Sequence, residues 1–443
     1  MIESTDLHSQ SGLEPYVDPP VPKLLLVTYF APFGRHGGQV CVERLLRDYP
    51  REKLVWMHHN VHPPSTTEPD PAWSGVERWP VELLKRPNRW GLHHLREYGN
   101  WTIHARRIAR RVAARAEKAG IEAVLGVGPG VSVWTSHRIA QGLGVPLHLW
   151  IHDDPVAYAQ AWKAPRPTVK RVRRCFIEAY RSAAERYTIS RPMRDEYRQL
   201  TGCDATVLPP SVDSAETPAI ARPQGDRIRI GFAGSLVDPE SWKRFLLAMH
   251  AVFAQAPIEH QPEITVYAEP QDVPIPPVVR ECGWVRVRGW QPQAAVDREL
   301  AAMDYLYLSL WFSPSHRTFV RTSFSTKFVS YLRMGAPILC HVPSDSAIAE
   351  FVRRCPVGPV LDSTDVATLT HRLRSIFRDE AWHNRISDAR EQALAMFDRK
   401  VLARRFHERL MSAHRRDARA RTVHDSVVSS PGGSRARAGV VSS

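Results

Sequence analysis

The sequence has 443 residues, of which 43% are hydrophobic and 24% are charged, values typical of a folded globular protein rather than a membrane protein or a disordered chain. This length exceeds what one ordinary hydrophobic core covers, so two domains of about 200 residues each are expected. The net charge of +14 favours an anionic partner, such as phosphate, nucleic acid or an anionic membrane surface. Charge by itself does not choose among these partners.

The chain shows no signal for export or membrane insertion. It has no uninterrupted apolar run of about 18 residues, and the N-terminal MIESTDLHSQ lacks the basic start and apolar centre of a signal peptide. We therefore expect a soluble, cytoplasmic protein. The six cysteines show no paired metal-binding spacing and should stay reduced in that compartment, so no metal site is predicted.

Short apolar runs alternate with helical stretches through most of the sequence. Each run is unalternating, as strands buried on both faces are, and this pattern predicts an α/β protein with parallel sheets wrapped by helices. The two halves repeat the pattern, so we predict two doubly wound sheets. The predicted strands are 23–29, 54–58, 123–126, 146–151 and 186–190 in the first half, and 227–233, 264–268, 285–287, 305–309 and 337–342 in the second.

Composition also predicts the domain boundaries. Both ends of the chain are polar and lack apolar periodicity, which predicts disorder, and a stretch with two prolines and few large apolar residues predicts a linker. The predicted units are a disordered segment at 1–21, a first domain at 22–215, a linker at 216–226, a second domain at 227–385, a helical segment at 386–415 and a disordered tail at 416–443.

The loop after the first predicted strand, APFGRHGGQ, places glycines directly before a helix that is predicted to begin near Val40. Glycines let the backbone N–H groups of a helix N-terminus approach a phosphate closely, and Gly37 and Gly38 are the candidate residues. The alternative is an ordinary turn from strand to helix, because the spacing is not the dinucleotide-binding fingerprint.

A second candidate site follows the predicted strand LHLWI, where His152, Asp153 and Asp154 come in succession. Open α/β sheets bind ligands beyond the carboxyl ends of their strands. A histidine beside carboxylates can orient a substrate hydroxyl or stabilise developing positive charge. The alternative is that an aspartate simply caps the next helix.

The second half has its own candidate residues after its first strand. Gly234 and Ser235 follow that strand directly, and Lys243 lies at the opening of the next helix. A lysine at such a position can serve as a point charge for a diphosphate. The alternative is a lysine on a solvated helical face.

The most informative segment is RTSFSTKFVSYLRMGAPILCHV, at 321–342. It joins a hydroxyl-rich loop, a lysine and a short helix that ends at a glycine, followed by a proline that opens a strand. Hydroxyls and backbone N–H groups at a helix N-terminus again indicate an anion site. The candidate residues are Thr322, Ser325, Thr326, Lys327 and Ser330.

Taken in order, these segments resemble the bacterial glycosyltransferases of family 4, which have the GT-B fold. The resemblance spans roughly 23–378 and is most specific at SFSTKFVSYLRMGAPIL, which is similar to the group's block of serine-threonine-lysine, glutamate-tyrosine-leucine and glycine-x-proline-isoleucine-leucine. It implies two Rossmann-like domains facing across a cleft. It further implies transfer of a sugar, with retention at the anomeric carbon, from a nucleoside-diphosphate sugar to a glycan, lipid-linked or small-molecule acceptor, with no further cofactor.

The resemblance also implies roles for the candidate residues, with the nucleotide mainly on the second domain and the acceptor on the first. Gly37 and Gly38 would face the donor phosphates, and His152 would approach the transferred sugar. Lys243 would contact the diphosphate. Lys327 and its neighbouring hydroxyls would belong to the donor pocket.

The sequence departs from the group at two places. Members typically carry two glutamates eight positions apart, where this chain has Thr322 and Ser330, and many carry an arginine where this chain has Ser235. A hydroxyl cannot supply the charge-assisted bidentate grip of a carboxylate on a ribose diol. A GT-B-like protein that binds a nucleotide or glycan without transferring sugar is therefore the alternative.

Two basic stretches add a prediction about the surface. Residues 82–118 contain ten lysines and arginines against three glutamates, interleaved with apolar residues, and 163–174 contain six cations and no acid. Two interpretations are open: solvated helical faces, which are common on basic proteins, or docking on an anionic membrane at its inner face. Nucleic-acid binding is a rival, but the sequence has no zinc spacing or RNA-binding aromatic motif.

Overall fold

The computed structural model describes residues 21–31, 37–59, 73–84, 93–214, 227–257, 260–379 and 382–428. The predicted linker at 216–226 and nearly all of the predicted N-terminal segment lie outside the described residues. The described chain forms two parallel sheets, each wrapped by helices, and two long C-terminal helices.

The first sheet has seven strands in the order β3-β2-β1-β4-β5-β6-β7, and all neighbouring strands are parallel. Its central strands are buried along their whole length, which explains their unalternating apolar sequences. The strands are β1 Leu24–Thr28, β2 Leu54–His59, β3 Glu77–Val81, β4 Ala123–Gly128, β5 Leu147–Ile151, β6 Glu185–Thr188 and β7 Thr206–Val207.

Seven helices accompany this sheet. One π-type turn at Asn100–His104 joins α2 to α3 in a single long helix. The helices are α1 Gly37–Leu45, α2 His93–Gly99, α3 Ala105–Lys118, α4 Ser132–Leu143, α5 Pro155–Ala161, α6 Arg166–Ser182 and α7 Arg191–Thr201.

The second sheet has six parallel strands in the order β10-β9-β8-β11-β12-β13. Its strands are β8 Arg229–Ala233, β9 Glu263–Tyr267, β10 Val285–Val287, β11 Tyr305–Ser309, β12 Ile338–His341 and β13 Val360–Leu361. Its helices are α8 Pro239–Phe253, α9 Pro277–Glu281, α10 Gln293–Ala301, α11 Arg317–Thr322, α12 Thr326–Leu332, α13 Ala347–Arg354 and α14 Val366–Arg378. The C-terminal helices are α15 Trp382–Met396 and α16 Arg399–Val428.

All ten predicted strands are present, and the described chain has three more strands that were not predicted from the sequence. β3 carries Pro80 and is largely exposed at the sheet edge, so it has no continuous apolar run. β7 and β13 have two residues each, which is too short for any hydrophobic pattern to identify.

The C-terminal helix α16 returns to the first domain. Phe406 packs on Tyr187 with 5.5 Å between the ring centroids, and Arg416 forms an ion pair with Glu185 at 2.6 Å. The helix continues to Val428, so the prediction of disorder from 416 is wrong for 416–428. The alanines and arginines in this stretch favour helix, and composition without apolar periodicity did not reveal that preference.

The chain returns from the second domain to the first at Arg399, where both backbone and side-chain contacts hold it. The backbone N–H of Val212 donates to the carbonyl of Phe397 at 2.9 Å, and the N–H of Arg399 donates to the carbonyl of Val212 at 2.8 Å. The side chain of Arg399 is only 6% exposed; its guanidinium pairs with Asp48 and lies 3.3 Å from the carboxylate of Asp213. The backbone and the side chain of the crossing are therefore both tied to the first domain.

We expect the substitution Arg399→Met to lower the free energy of unfolding by about 2 kcal/mol, because hydrogen bonds between charged groups contribute about 1.5–3 kcal/mol and one partner is partly exposed. Thermal unfolding followed by circular dichroism measures the change as a lower Tm. The matched control is Arg404→Met, at an exposed position of the same helix. Equal Tm values for the two variants would show that this cluster does not stabilise the crossing.

Candidate functional site

The two sheets face each other across a cleft of about 630 Å³. The strand order reverses between β1 and β4 in the first sheet and between β8 and β11 in the second, and such switch points are where open α/β sheets bind ligands. Residues that follow β1, β4, β5 and β11 line the cleft. Its position therefore follows from the topology of both domains.

The structure brings most of the predicted site residues together. The predicted residues that line the cleft are Gly37, Gly38, His152, Asp153, Ser325, Thr326 and Lys327. Gly234 and Ser235 lie immediately beside Lys327. Residues from both domains thus contribute to one site.

Helix α1 begins at the two glycines and approaches both the second domain and the end of β5. A Cβ atom on Gly37 would lie 2.6 Å from the hydroxyl of Thr326, and one on Gly38 would lie 3.0 Å from the ring of Phe30 and 3.4 Å from Nδ1 of His152. Real Cβ atoms do not tolerate the first of these distances. Gly37 is therefore required by the close approach of the domains.

His152 is a buried, neutral histidine at the end of β5. Burial lowers the pKa of His152 to about 3, so its imidazole is uncharged at neutral pH. Its ring stands edge-on to Trp150, with 4.2 Å between centroids. Neither ring nitrogen has a hydrogen-bond partner among the residues that the structure describes. Both nitrogens are buried, so the hydrogen-bonding capacity of this ring is unused in the structure.

The two aspartates that follow His152 have separate roles. Asp154 accepts the N–H of Ala157 at 2.6 Å and caps α5, as the alternative interpretation of this segment proposed. Asp153 accepts the hydroxyl of Ser323, from the second domain, at 2.6 Å. Burial raises the pKa of Asp153, and the Ser323 hydrogen bond opposes that shift. Asp153 therefore joins the two domains across the cleft.

Lys327, in the first turn of α12, is the cation of the cleft. Its ammonium donates to the carbonyl of Ser235 and lies 5.0 Å from the ring centroid of Phe232. Burial lowers its pKa to about 8. Gly234 has a φ of +98°, a backbone conformation that favours glycine, and a Cβ there would lie 2.9 Å from Cε of Lys327.

Besides Gly234 and Ser235, which lie next to Lys327 without lining the cleft, three predicted residues lie away from it in this structure. Lys243 forms an ion pair with Glu240 one turn earlier in α8. The hydroxyl of Thr322 donates to the carbonyl of Thr318 at 2.7 Å, while that of Ser330 lies 3.4 Å from the guanidinium of Arg44 in the first domain. Their contacts with a donor stay predictions.

The sequence analysis missed an aromatic lining on both sides of the cleft. In the second domain, Trp311 and His316 stack with 4.7 Å between centroids and an angle of 10°. In the first domain, Tyr29 packs edge-on against Tyr158, and Trp162 stands beside them at the mouth. The signal was present, because Tyr29 is the last residue of one predicted strand and the WFSPSH segment, at 311–316, comes after the carboxyl end of another.

Two kinds of feature are absent from the described ranges. No three or more histidine, cysteine, aspartate or glutamate side chains there are grouped to hold a metal ion. Within those same ranges, every helix is too short or too polar to cross a bilayer.

No family profile and no curated protein sequence matches this chain. Solved structures do match along most of its length. A sucrose-phosphate synthase from Thermosynechococcus elongatus is 14% identical with a TM-score of 0.59, and the match covers 87% of this chain and 98% of that one. An α,α-trehalose 6-phosphate synthase from Burkholderia multivorans is 13% identical with a TM-score of 0.61, covering 88% and 99%.

A glycosyltransferase from Rickettsia africae is 11% identical with a TM-score of 0.60, covering 88% of this chain and 98% of that chain. At these identities the matches establish the fold. Two parallel-sheet domains that face across a cleft, with a C-terminal helix returning to the first domain, are thus confirmed as the GT-B fold.

Proposed function

We propose that this chain is a retaining glycosyltransferase that moves a sugar from a nucleoside-diphosphate sugar to a glycan, lipid-linked or small-molecule acceptor. One observation carries the proposal: a buried lysine, a neutral histidine and glycines at a helix N-terminus converge on one cleft at the switch points of both sheets. The protein from Rickettsia africae that shares the fold is named a glycosyltransferase, which supports the same class of reaction.

Lys327 is the group that we assign to the donor diphosphate. It is the only lysine or arginine among the described residues that line the cleft, and its surroundings disfavour an isolated positive charge. An anionic diphosphate would restore the charged form and gain a strong interaction in a poorly solvated site. The N–H groups at the start of α1, at Gly37 and Gly38, would face the same phosphates.

The surroundings of His152 and Asp153 support retention. Inversion requires a strong base to take the proton of the acceptor. Asp153 is the only carboxylate among the described lining residues, and Ser323 already engages it; the low pKa of His152 makes it a weak base. An oxygen of the departing diphosphate can take the proton instead, while Lys327 stabilises the charge that develops there.

The first domain offers an acceptor side. Tyr29, Tyr158 and Trp162 present aromatic rings to the cleft, and such rings suit the apolar faces of a sugar or a lipid-linked group. Trp162 is more than half exposed and lies at the start of the basic stretch that continues into α6. A lipid-linked acceptor held at that surface would have a short path into the cleft.

We further propose that this surface docks on an anionic membrane. Leu95 and Ile103, on the long helix formed by α2 and α3, are both more than 60% exposed. That helix packs on α6, so the exposed apolar side chains and the basic residues of the two helices belong to one part of the surface. Apolar side chains flanked by arginines are typical of helices that lie in the membrane interface. The exposed arginines and lysines include Arg106, Arg107, Arg110, Lys170, Arg173 and Arg174.

The test of the proposed function is a thermal-shift screen with nucleoside diphosphates and their sugars, followed by an assay for release of nucleoside diphosphate. We expect at least one donor to raise the Tm and to be turned over. Stabilisation without any release, with acceptors of all three classes supplied, would favour the binding protein that lacks transferase activity. Stabilisation by no nucleotide would contradict both.

We expect Lys327→Met to weaken binding of the stabilising nucleoside diphosphate at least about tenfold, because one charge-assisted hydrogen bond contributes about 1.5–3 kcal/mol. In the wild type the affinity should fall as pH rises through about 8, since the ammonium that binds the anion is lost above its pKa. Calorimetry between pH 7 and pH 10 measures both effects. Lys400→Met, at an exposed position on α16, is the control. A wild-type affinity that is flat over this range would remove Lys327 from the diphosphate site.

We expect Gly37→Ala to weaken donor binding about tenfold, because the new methyl group would meet the hydroxyl of Thr326 and hold the domains apart. Thr326→Ala in the same chain should relieve the clash, so the double variant should bind better than the sum of the two single effects predicts. Isothermal titration of all four proteins measures this coupling. Additive losses would mean that the domains do not close at this contact.

We expect the double variant Leu95→Ser, Ile103→Ser to co-sediment with anionic vesicles much less than the wild type does, because burial of each large apolar side chain contributes about 1.5–3 kcal/mol. Val401→Ser removes an apolar side chain that is 45% exposed from α16 and serves as the control. Equal sedimentation of all three proteins, or no binding by the wild type at low salt, would contradict membrane docking.

A further inference from the structure

A second cavity, of about 910 Å³, lies on the other side of Phe324 from the cleft. We call it the rear cavity. Its walls come from the first domain after β6 and around β7, from α13 of the second domain, and from the C-terminal helices α15 and α16. Ile189 and Phe324 line both the cleft and the rear cavity. The rear cavity therefore occupies the place where all three parts of the chain meet.

An aromatic cluster lines one side of the rear cavity. Phe324, Phe351 and Phe397 have ring centroids 5.3–5.7 Å apart and come from three different parts of the chain. All three rings line the cavity, as does Met396. Aromatic and thioether side chains of this kind favour contact with an apolar ring.

The rim of the rear cavity is strongly basic. Among the described residues, five arginines line it against one carboxylate, that of Glu408. Arg194 and Arg354 hold the carboxylates of Asp195 and Glu350. The arginines on the rim are Arg191, Arg194, Arg354, Arg405 and Arg409.

Two of the rim arginines have their hydrogen-bonding capacity unused. Arg405 and Arg409 are four residues apart in α16, so they lie on the same face of the helix. Neither forms a hydrogen bond or an ion pair with any residue in the described part of the chain. Two adjacent guanidinium groups at the edge of an aromatic surface match a phosphate or carboxylate attached to a ring.

We propose that the rear cavity binds a small anion with an apolar ring, the ring lying against Phe324, Phe351 and Phe397 and the anionic group held by Arg405 and Arg409. This site is separate from the donor cleft. It combines an aromatic surface with unpaired cations. The proposed donor and acceptor bind in the cleft, so the proposed reaction does not account for either feature.

Occupancy of the rear cavity should influence the cleft. Phe324 directly follows Ser323, whose hydroxyl donates to Asp153 across the cleft. Ile189 directly precedes Ser190, whose hydroxyl donates to the carbonyl of Thr322 in the second domain. A ligand that fixes Phe324 and Ile189 would change how readily these interdomain hydrogen bonds open. This linkage, unlike the binding itself, rests on the proposed function of the cleft.

The test uses phenyl phosphate as the probe and the full chain in calorimetric titrations, with inorganic phosphate as the comparison. We expect phenyl phosphate to bind more tightly than inorganic phosphate. The double variant Arg405→Gln, Arg409→Gln should bind phenyl phosphate at least about tenfold more weakly, the effect of one lost hydrogen bond to a charged group. The matched control is Lys400→Gln, Arg404→Gln, which removes two exposed cations with the same spacing from the same helix.

Three results would overturn the proposal: no binding of phenyl phosphate at millimolar concentration, equal weakening by the two double variants, or equal affinity for the two phosphates. Loss of phenyl phosphate binding in Lys327→Met, with retention in Arg405→Gln, Arg409→Gln, would place the probe in the cleft and would also overturn it. A thermal scan of each variant shows that it is folded before it is titrated.

The coupling between the rear cavity and the cleft is tested by a separate measurement of affinities. The affinity for the stabilising nucleoside diphosphate should change when phenyl phosphate saturates the rear cavity, and the affinity for phenyl phosphate should change by the same factor when the nucleotide is bound. Phenyl phosphate binding without any change in nucleotide affinity would overturn the linkage and leave the second site standing. A chain that binds phenyl phosphate but no nucleotide would contradict the proposed function alone.

Discussion

The close approach of the two domains across the cleft is the constraint on which the site depends. Gly37 leaves no room for a Cβ against Thr326, and Asp153 accepts a hydrogen bond from Ser323. These contacts bring the carboxyl ends of two separate sheets into one site. The return of α16 to the first domain, held at Arg399, limits how far the second domain can move away. These short contacts between the domains therefore decide whether the residues of the two sheets form a single site.

The same closeness removes water from the ionisable groups of the cleft. His152 is kept neutral, the pKa of Lys327 falls to about 8, and the pKa of Asp153 rises. All three shifts have burial as their largest cause, and burial disfavours every charged form. A diphosphate bound as proposed would reverse this balance for Lys327, because its charge would stabilise the ammonium. In the free site, burial disfavours the ammonium form of Lys327, and an anionic ligand would offset that cost.

The two positions that carry glutamates in the resembling group have a different use here. The backbone carbonyl of Thr322 accepts the hydroxyl of Ser190, and Ser330 lies against Arg44, so both residues contact the first domain. Short hydroxyl side chains allow these approaches without burying a charge. Binding of the donor would then depend more on Lys327 and on backbone groups. The aromatic rings of Trp311 and His316 would contact the donor by shape, whereas the group's carboxylates contribute charge.

Much of the architecture could be predicted from the sequence because buried parallel strands need continuous apolar runs, and ten such runs stand between helical stretches. The edge strand β3 and the two-residue strands β7 and β13 could not be predicted, since exposure and brevity leave no pattern. Glycines before a helix and polar residues after a strand also identified Gly37, Gly38, His152 and Asp153, because chain order alone places them at the carboxyl edge of a sheet.

Tertiary structure decided what each candidate side chain contacts. Asp153 and Asp154 are adjacent in sequence, yet one bridges the domains and the other caps a helix. Lys243 and Lys327 both follow strands of the second sheet, yet one pairs with a neighbour on its own helix and the other lies buried in the cleft. The sequence by itself determined the two sheets and the edge that the proposed site occupies, through the periodicity of apolar residues. Only packing between distant segments determined the rear cavity, the close contact at Gly37 and the partner of each charge, because these depend on distances that no local pattern encodes.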